Sequence, residues 1–448
     1  MAKNIDFIND NLNNLILKVS LPLILSSIVI STIQLSNVAF MGNLGGEEAY
    51  LRALYTPFAF LLIAITEAFQ ISNQVSIAQL NGAGNKKGVK QHIVFYFCIS
   101  FLCSILIFLI IYLTTPFIQS FYNIQSDLAN ELMNFIKIMF LLNFFAIFGV
   151  IMSSTLRSIG KVNLSTFLNI GYACTNVFLV YIFAFHFNQG LYSLIYGNLI
   201  SSLLLCISSA VFLLKLNVLD FKVMKFKITD LNSYSNSIFF LKVVAIPVFL
   251  SYVIIFISNL FYNKIVHPFG PTVLSGFNIG YYIQTFLIIP AIAIGSAIGL
   301  IVNNIIGAKE NYARIPLVLR RGVYLTLIFY AVFTTIIFIS KNHIANLMSI
   351  DKVVADHAIV FLTIIIPSIS FFGVVLMTIT LLEQLNKGML ALILNVLYFL
   401  VIIIVGQYLT EFYGEVSYLY WTMSIMNVLG FITCLIVLKM VSKQFNLS

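Results

Sequence analysis

An acidic residue lies near the middle of an apolar stretch that is long enough to cross a bilayer. The stretch, residues 58–84, reads FAFLLIAITEAFQISNQVSIAQLNGAG, and the acid is Glu67. A charge at that depth costs about 2.5–3.5 kcal/mol on insertion scales, so such residues usually face a cavity or the interior of a helix bundle. Because intramembrane carboxylates often relay protons, Glu67 is the first candidate for ion-coupled chemistry.

Amide side chains continue the helical face on which Glu67 lies. Gln70 and Gln74 follow it at i+3 and i+7, and Asn73 is beside them. This face has two interpretations: it lines a wet cavity that receives substrate, or it clamps neighbouring helices by hydrogen bonds while Glu67 is held neutral. The sequence leaves both interpretations open, and Glu67 is the only acid placed deep within a predicted span.

Two other spans in the first half of the chain carry polar stripes. Their members are Gln34 and Asn37 in the first span, and Asn169, Tyr172 and Asn176 in the fifth. Taken alone, each stripe is typical of hydrogen bonding between membrane helices. Together with Glu67, however, they predict a polar chamber in the N-terminal half of the protein.

The second half of the chain has polar residues at comparable places but no acid among them. Asn259 in the seventh span and Asn278, Tyr281 and Thr285 in the eighth are predicted to line a substrate cavity. Neither span contains a carboxylate. Coupling chemistry is therefore expected in the N-terminal half.

Composition indicates which elements position these residues. Of 448 residues, 60% are hydrophobic and 9% are charged, which are too few ionisable groups to cover a soluble protein of this size. Apolar runs of about 20 residues, the length that spans a bilayer, recur twelve times. The prediction is an all-α integral membrane protein with spans at 15–41, 53–80, 92–113, 132–156, 163–186, 189–214, 240–264, 273–304, 317–339, 357–382, 389–409 and 417–440.

The basic residues predict the orientation of the chain. With twelve spans the termini share one side of the membrane, and nineteen of the 24 Lys and Arg residues, including Arg157, are assigned to loops on that side. The positive-inside rule then places both termini in the cytoplasm. Because the basic residues are spread over many loops, the net charge of +9 is read as a topology signal, and no nucleic-acid partner is expected.

The two halves of the chain are related by an internal repeat. The offset between matching residues is 225 or 226 positions, and the pairs are Pro22 with Pro247, Gly45 with Gly270, Gly82 with Gly307, and Asn169 with Asn395. Six spans precede the repeat, so both halves enter the membrane in the same direction. This arrangement is typical of transporters whose parallel repeats are related by an axis along the membrane normal.

The repeat predicts two pseudo-symmetric six-helix lobes around a central cavity. We expect an N-terminal lobe at residues 1–214, a basic cytoplasmic linker at 215–239 and a C-terminal lobe at 240–448. Rocking of the lobes would expose a central site to each side in turn. A duplicated bundle also suits a channel or an enzyme, so the repeat alone does not establish transport.

Motifs for catalysis or bound cofactors are missing from the sequence. There is no Walker loop, no HExxH and no GxSxG, and the five cysteines share no metal-ligand spacing. We therefore expect no enzyme activity, no metal and no cofactor. Energy for transport would come from an ion gradient, of H⁺ or Na⁺, or from the gradient of the substrate itself.

Three stretches give the chain a resemblance to a known family. PLILSSIVISTIQLSNVAFMGNLGG, AQLNGAGNKKG and LRSIGKVNLSTFLNIGYACTNVFLVYIF resemble the multidrug and toxic compound extrusion (MATE) family, within the larger group that includes polysaccharide-lipid flippases. The resemblance covers nearly the whole chain. It implies two six-helix lobes, a V-shaped central cavity, and export driven by inward flow of protons or sodium ions.

The chain departs from the family at the positions of its usual acids. Prokaryotic members commonly have acids where this chain has Asn37 and Val180, whereas Asn176 matches the family pattern. Our hypothesis is that Glu67 replaces these acids as the protonation site. Its predicted helpers are Gln34, Asn37, Gln70 and Asn176. The hypothesis requires that no permanent basic neighbour neutralises Glu67.

The favoured function is ion-coupled export of small organic molecules, such as drugs or a secreted metabolite. Two alternatives stay open: a flippase for a lipid-linked saccharide, and a membrane scaffold or receptor that moves no solute. We expect the protein to be a monomer in a lipid bilayer. The abundance of Asn and Ile suggests an AT-rich bacterial genome, so the expected location is a bacterial cytoplasmic membrane.

Overall fold

Twelve long helices dominate the computed structural model of the chain. It describes residues 6–7, 10–44, 46–122, 126–219, 234–349 and 351–446, and every regular element within them is helical. The helices are α1 (Leu12–Leu44), α2 (Gly46–Gly82), α3 (Lys86–Tyr122), α4 (Ser126–Ser158), α5 (Val162–Phe185), α6 (Ser193–Lys215), α7 (Ser235–Phe240), α8 (Ile246–Val266), α9 (Pro271–Ala308), α10 (Ile315–Met348), α11 (Lys352–Gln384), α12 (Gly388–Tyr413) and α13 (Ser417–Asn446).

The twelve predicted spans are confirmed in number and place. Twelve stretches of the described chain are long and apolar enough to cross a membrane, as the prediction required. Several helices extend beyond the apolar run that marks them: the third predicted span was 92–113, whereas α3 covers Lys86–Tyr122. Hydropathy locates the lipid-compatible core of a helix, but backbone hydrogen bonding continues into the polar flanks.

The seventh span is a composite of three consecutive helical pieces. The short helix α7 leads into a π-helical turn at Leu241–Ala245, and α8 begins at Ile246. Pro247 follows directly. Because proline has no N–H and its ring displaces the preceding carbonyl, the regular ladder is interrupted near it, and π-turns are a common accommodation.

The chain divides into two compact units. Unit 1 is built mainly from Leu25–Phe249 with Ile306–Ala308, and unit 2 mainly from Asp10–Ile24, Leu250–Ile305 and Lys309–Ser448. The predicted lobe boundaries remain a prediction, because residues 220–233 of the predicted linker lie outside the described residues.

Unit 1 is organised around α4. This helix packs against α2, α3, α5 and α6, and α5 packs in turn against α6. An apolar cluster that includes Phe135, Phe140, Ile147 and Val180 forms its core. The polar stripes of α2 and α5 therefore both lie on helices that contact α4.

Unit 2 is organised around α11. This helix packs against α10, α12 and α13. Aromatic side chains join the helices: the Phe277 and Tyr420 rings stack at 6.0 Å between centroids, and Phe361 meets Tyr420 edge-on at 4.9 Å. Such pairs contribute about 0.5–1.5 kcal/mol each beyond the area they bury. They hold α9, α11 and α13 together.

Candidate functional site

Glu67 lies on α2 beside an amide from the same helical face. Gln70 Nε2 donates a hydrogen bond to Glu67 Oε2 over 3.2 Å, and both side chains are partly buried. The i, i+3 spacing predicted this neighbourhood, since residues three apart lie over one another on a helix. The carboxylate therefore has one amide donor from its own helix.

A buried arginine on α4 faces the same region. Arg157 was assigned to a loop from the sequence, and that assignment is wrong: it lies in the last turn of α4 and is buried, while its placement on the cytoplasmic side stays a prediction. Its Nη1 donates to Gln74 Oε1 over 3.2 Å. The Arg157 guanidinium also interacts electrostatically with the Glu67 carboxylate. A positive charge thus stands next to the predicted protonation site.

Glu67 and Arg157 are neighbours without forming a closed ion pair. Within the part of the chain that the structure describes, no nitrogen–oxygen distance of 4.0 Å or less joins them, whereas Lys18 and Asp10 do form such a pair at 3.9 Å. Arg157 is held by Gln74 instead. The carboxylate accordingly retains free capacity to accept a proton.

The rest of the polar face of α2 clamps α4. Asn73 Nδ2 donates to the Ile151 carbonyl at 3.0 Å, to Ser154 Oγ at 2.8 Å and to Thr155 Oγ1 at 3.1 Å. Ser158 Oγ donates to the carbonyl of residue 74 on α2 at 3.1 Å. Hydrogen bonds between membrane helices contribute on average about 0.6 kcal/mol each. Both interpretations of the face therefore apply, to different parts of it.

Gln74, predicted to line the substrate cavity, belongs to the clamped part. Its side chain is buried and its oxygen accepts from Arg157. Gln70 and Glu67, about one and two turns earlier, are less buried. The partly exposed end of the face is consequently the part suited to contact with ions or solutes.

The predicted stripe on α5 faces its neighbours in unit 1. Asn169 Oδ1 accepts from Ser153 Oγ of α4 at 3.0 Å, and Tyr172 donates to Asn198 Oδ1 of α6 at 3.3 Å. Asn176 Nδ2 donates to Ser201 Oγ of α6 at 3.1 Å, while its Oδ1 is buried and accepts no hydrogen bond from the part of the chain that the structure describes. The stripe therefore works largely as interhelical bonding.

Gln34 of the first span contacts a second arginine, Arg52, which lies on α2. Gln34 Oε1 accepts from Nη2 of Arg52 at 3.1 Å, and Arg52 also donates to Thr56 Oγ1 at 3.2 Å. Asn37 is half-buried, and its Oδ1 has no hydrogen-bond partner among the described residues. Arg52, on α2, was not singled out from the sequence, because it lies just before the predicted second span.

The four predicted ion-coupling residues do not form one cluster in this structure. Among the described contacts of Glu67, none reaches Gln34, Asn37 or Asn176; its neighbours are Gln70 and Arg157. Gln34 is bound to Arg52 and Asn176 to Ser201. Whether they act together during transport stays a prediction.

Val180, at the place of the second acid that prokaryotic MATE members commonly have, lies in an apolar and closely packed environment. Val180 of α5 is fully buried in the apolar core of unit 1. A Cβ atom on Gly197 of α6 would lie 2.3 Å from Val180 Cγ2, so the two helices approach closely at this point. An ionised carboxylate here would have neither water nor a cation, a costly arrangement.

A buried histidine is a further polar centre that the sequence did not reveal. His92 of α3 lies with Nδ1 at 2.9 Å from Ser76 Oγ of α2 and 2.8 Å from Ser237 Oγ of α7. Its ring packs on that of Tyr96 at 4.1 Å. The Tyr96 hydroxyl hydrogen-bonds Ser72, and Ser72 also donates to the Phe240 carbonyl at 3.1 Å. These contacts attach the start of the seventh span to α2 and α3.

One more buried acid falls outside the predicted spans. Glu383 is buried near the end of α11, one residue beyond the predicted tenth span, 357–382. It lies in unit 2, whereas Glu67 lies in unit 1. The predicted span ended at residue 382 because the next two residues, Glu383 and Gln384, are both polar.

The polar residues predicted in the second half lie in unit 2. Asn278 Nδ2 and Thr285 Oγ1 donate to carbonyls four residues earlier on α9, at 3.0 and 2.9 Å. The side chains of Asn259 on α8 and Tyr281 on α9 are close enough to interact. All four side chains are partly exposed.

Comparison with known proteins settles the family. The model of the MatE family matches residues 22–182 and again residues 247–409. The chain belongs to the MatE family. The two matches begin 225 positions apart, which confirms the repeat found in the sequence. Family membership makes this protein a multi-pass membrane transporter.

Individual MATE relatives are distant in sequence and close in fold. The chain is 22% identical over 342 residues to a probable multidrug resistance protein, YoeA, of Bacillus subtilis, covering 74% of this chain and 72% of that one. It is similar to the Vibrio cholerae MATE transporter VcmN in its bent form, with a TM-score of 0.87 and 19% identity over 97% of this chain and 98% of that one.

A second solved structure supports the same fold assignment. An outward-facing multidrug resistance MATE transporter of the MOP superfamily gives a TM-score of 0.91 at 16% identity, with 100% of each chain covered. At these identities the likeness shows the fold. The twelve-helix MATE architecture predicted from the sequence is thereby confirmed.

Proposed function

We propose that this MATE transporter exports small organic compounds by alternating access and couples export to inward proton flow through Glu67. In this proposal the protein lies in a bacterial cytoplasmic membrane with both termini in the cytoplasm. The supporting observation is the placement of Glu67: a carboxylate within a membrane span, partly buried, bound by Gln70 and facing the buried Arg157.

The neighbouring guanidinium gives protonation of Glu67 a structural consequence. While Glu67 is ionised, Arg157 compensates its charge only in part, because the two form no closed ion pair among the described residues and lie in a region of low dielectric. A proton on Glu67 removes that compensation and leaves Arg157 with an unbalanced buried charge, which is costly. The packing of α2 on α4 then favours a different arrangement, and this is the two-state element that an ion gradient can bias.

Arg157 also bears on the choice between protons and sodium. A sodium site needs several oxygen ligands and usually negative charge, whereas Glu67 is bonded to an amide N–H and faces a cation. A proton needs only the carboxylate. We therefore favour H⁺ over Na⁺ as the coupling ion.

The test uses purified protein in proteoliposomes loaded with an organic efflux probe. Imposed proton and sodium gradients are applied separately to the wild type, to Glu67→Gln and to Glu411→Gln. Glu411 is an exposed acid on α12, so its variant is a matched control for loss of a carboxylate. We expect proton-driven export in the wild type and the control, and its loss in Glu67→Gln.

Other outcomes separate the alternatives. Undiminished proton-driven export by Glu67→Gln would refute the coupling role. Export driven by sodium alone would refute the choice of ion. Movement of a lipid-linked saccharide without movement of free solutes would favour the flippase, and partner binding without any transport would favour the scaffold.

A further inference from the structure

Unit 2 contains a cluster of tyrosine and asparagine side chains at the meeting of α8, α9 and α12. Its members, called here the tyrosine–amide cluster, are Asn259, Tyr262, Asn263, Tyr281 and Tyr398. The Tyr262 and Tyr281 rings lie 6.1 Å apart between centroids. The phenol groups of Tyr262, Tyr281 and Tyr398 are close enough to interact electrostatically. The cluster therefore collects polar groups from three helices into one place.

One side of the cluster is a completed structural network. The Tyr398 hydroxyl donates to Asn427 Oδ1 over 2.6 Å, and Asn427 Nδ2 donates to Ser368 Oγ over 2.7 Å. All three side chains are buried. Every step of this chain pairs a donor with an acceptor, so this side ties α12, α13 and α11 together and needs nothing further.

The other side has groups that the protein itself does not satisfy. Asn263 Nδ2 donates to Asn259 Oδ1 over 3.0 Å, but Asn263 Oδ1 is buried and no described residue donates a hydrogen bond to it. The Tyr262 hydroxyl also lacks a partner among the described residues, although Tyr262 is fully buried. A buried polar group without a partner costs about 1–3 kcal/mol. Two adjacent residues with such groups indicate a place where something else supplies the hydrogen bonds.

The residues next to these groups are partly exposed. Asn259, Asn263 and Tyr281 are partly exposed, in contrast to Tyr262 and to the members of the completed network. A solute that reaches Asn259 and Tyr281 can therefore extend toward the hydroxyl of Tyr262. The partial exposure distinguishes this side from ordinary interhelical bonding.

The charges around the cluster limit the class of solute. Helix α9 contains no charged residue in its 38 positions. On α8 the only one is Lys264, which is exposed and positive. No carboxylate lies on α8 or α9, and the one on α12, Glu411, is exposed near the C-terminal end of that helix, so these three helices offer an organic cation no buried counter-ion. An anion would find Lys264 alone, which is directed to the surface.

Hydrogen-bonding capacity defines the solute further. Asn263 Oδ1 needs a donor, and the Tyr262 hydroxyl can donate or accept. A hydroxyl or amide group can act as the partner of either one, while the surrounding phenol rings offer apolar faces for stacking. We infer that the unsatisfied side of the tyrosine–amide cluster, formed by Asn259, Tyr262, Asn263 and Tyr281 and excluding Tyr398, is a binding subsite for an uncharged organic solute that presents a hydroxyl or amide group.

This inference rests on the proposed export function, because it names the class of compound that the transporter would carry. Binding is therefore measured without any gradient. The probes are radiolabelled chloramphenicol and thymidine, which are uncharged and carry hydroxyl and amide groups, and tetraphenylphosphonium, which is a cation. Each is titrated against detergent-purified protein.

Two variants remove the unsatisfied groups, and a third is the matched control. Tyr262→Phe deletes the hydroxyl with no change in ring shape, and Asn263→Leu deletes the amide. Tyr398→Phe deletes a hydroxyl that is already satisfied. We expect the first two to weaken binding of an uncharged probe about five- to tenfold each, the value of one hydrogen bond. Tyr398→Phe should lower thermal stability and leave probe affinity unchanged in the folded protein.

Thermal stability without a probe provides a second readout. Tyr262→Phe should keep or raise the melting temperature, because it removes an unsatisfied buried hydroxyl. A marked fall would show that the hydroxyl has a structural partner and would overturn the inference. Failure of both uncharged probes to bind the wild type, or equal binding by all variants, would also overturn it, as would binding of tetraphenylphosphonium alone.

The result is separable from that of the coupling experiment. If Tyr262→Phe weakens binding while no gradient drives transport, the subsite stands and the proposed function fails. If proton-driven export is observed but both variants bind as the wild type does, the proposed function stands and the subsite fails.

Discussion

The Arg157 guanidinium and the Glu67 carboxylate interact electrostatically between α4 and α2 without an ion pair of 4.0 Å or less among the described residues. Gln74 holds the arginine, and Gln70 donates to the acid. Each charge is therefore only partly compensated by the other. This relationship is what allows a proton on Glu67 to change the balance at the helix interface.

A double-mutant cycle should detect this coupling. Glu67→Gln and Arg157→Gln are each expected to lower the free energy of unfolding by about 1–3 kcal/mol, because each leaves a charged partner without compensation. The double variant should lose less than the sum, by at least about 0.5 kcal/mol. Unfolding in detergent measures all four proteins, and strictly additive losses would contradict the coupling.

Replacement of the amide that clamps α2 to α4 should loosen unit 1. Asn73→Ala removes the amide N–H groups that serve the Ile151 carbonyl and the hydroxyls of Ser154 and Thr155. A loss of about 1–2 kcal/mol in unfolding free energy is expected. Asn43→Ala is the control, because Asn43 is exposed and donates only to Ala39 of its own helix. Equal stability of the two variants would show that the clamp contributes nothing.

Restoration of an acid at position 180 should damage the fold. Val180 is fully buried and packs where α5 approaches Gly197 of α6. Val180→Asp is expected to cost at least about 3 kcal/mol, as for a charge placed within a membrane. Asn37→Asp should be tolerated far better, because Asn37 is half-buried and its Oδ1 is unsatisfied. Comparable folded yields for both variants would show that packing does not exclude the acid.

Loss of the His92 imidazole should free the start of the seventh span. His92→Ala removes the contacts to Ser76 and Ser237 and is expected to raise amide hydrogen exchange at residues 234–240. His92→Asn should keep part of the protection, since an amide can reproduce the bonds made by Nδ1. His343→Ala is the control, because His343 is exposed. Unchanged exchange in His92→Ala would show that the histidine does not hold α7.

The fold was predictable because it follows from local patterns. A membrane helix must satisfy its backbone hydrogen bonds internally and present apolar side chains to lipid, so each span is visible as a run in the sequence. The repeat was visible because close packing keeps small residues at matching positions of the two halves. Gly307, marked by its match to Gly82, packs so closely that a Cβ would lie 2.0 Å from the Gln79 carbonyl oxygen, and no larger residue fits there.

The surroundings of the site were not predictable in the same way. Arg157 was read as a loop residue because it follows the apolar run of its span, and no local pattern tells whether such an arginine turns to water or into the bundle. His92 and Arg52 lie near span ends for which polar residues are ordinary. Their partners, Ser237 and Gln34, are 145 and 18 residues away.

The sequence by itself determined that twelve helices cross a membrane, that the halves repeat, and that Glu67 lies within a span. The tertiary structure decided which charges meet, that Val180 closes the place of a missing acid, and which hydroxyls and amides remain unsatisfied. The reason is physical: hydropathy and backbone bonding act within one helix, whereas burial and compensation of charge depend on side chains brought together from helices distant in the chain.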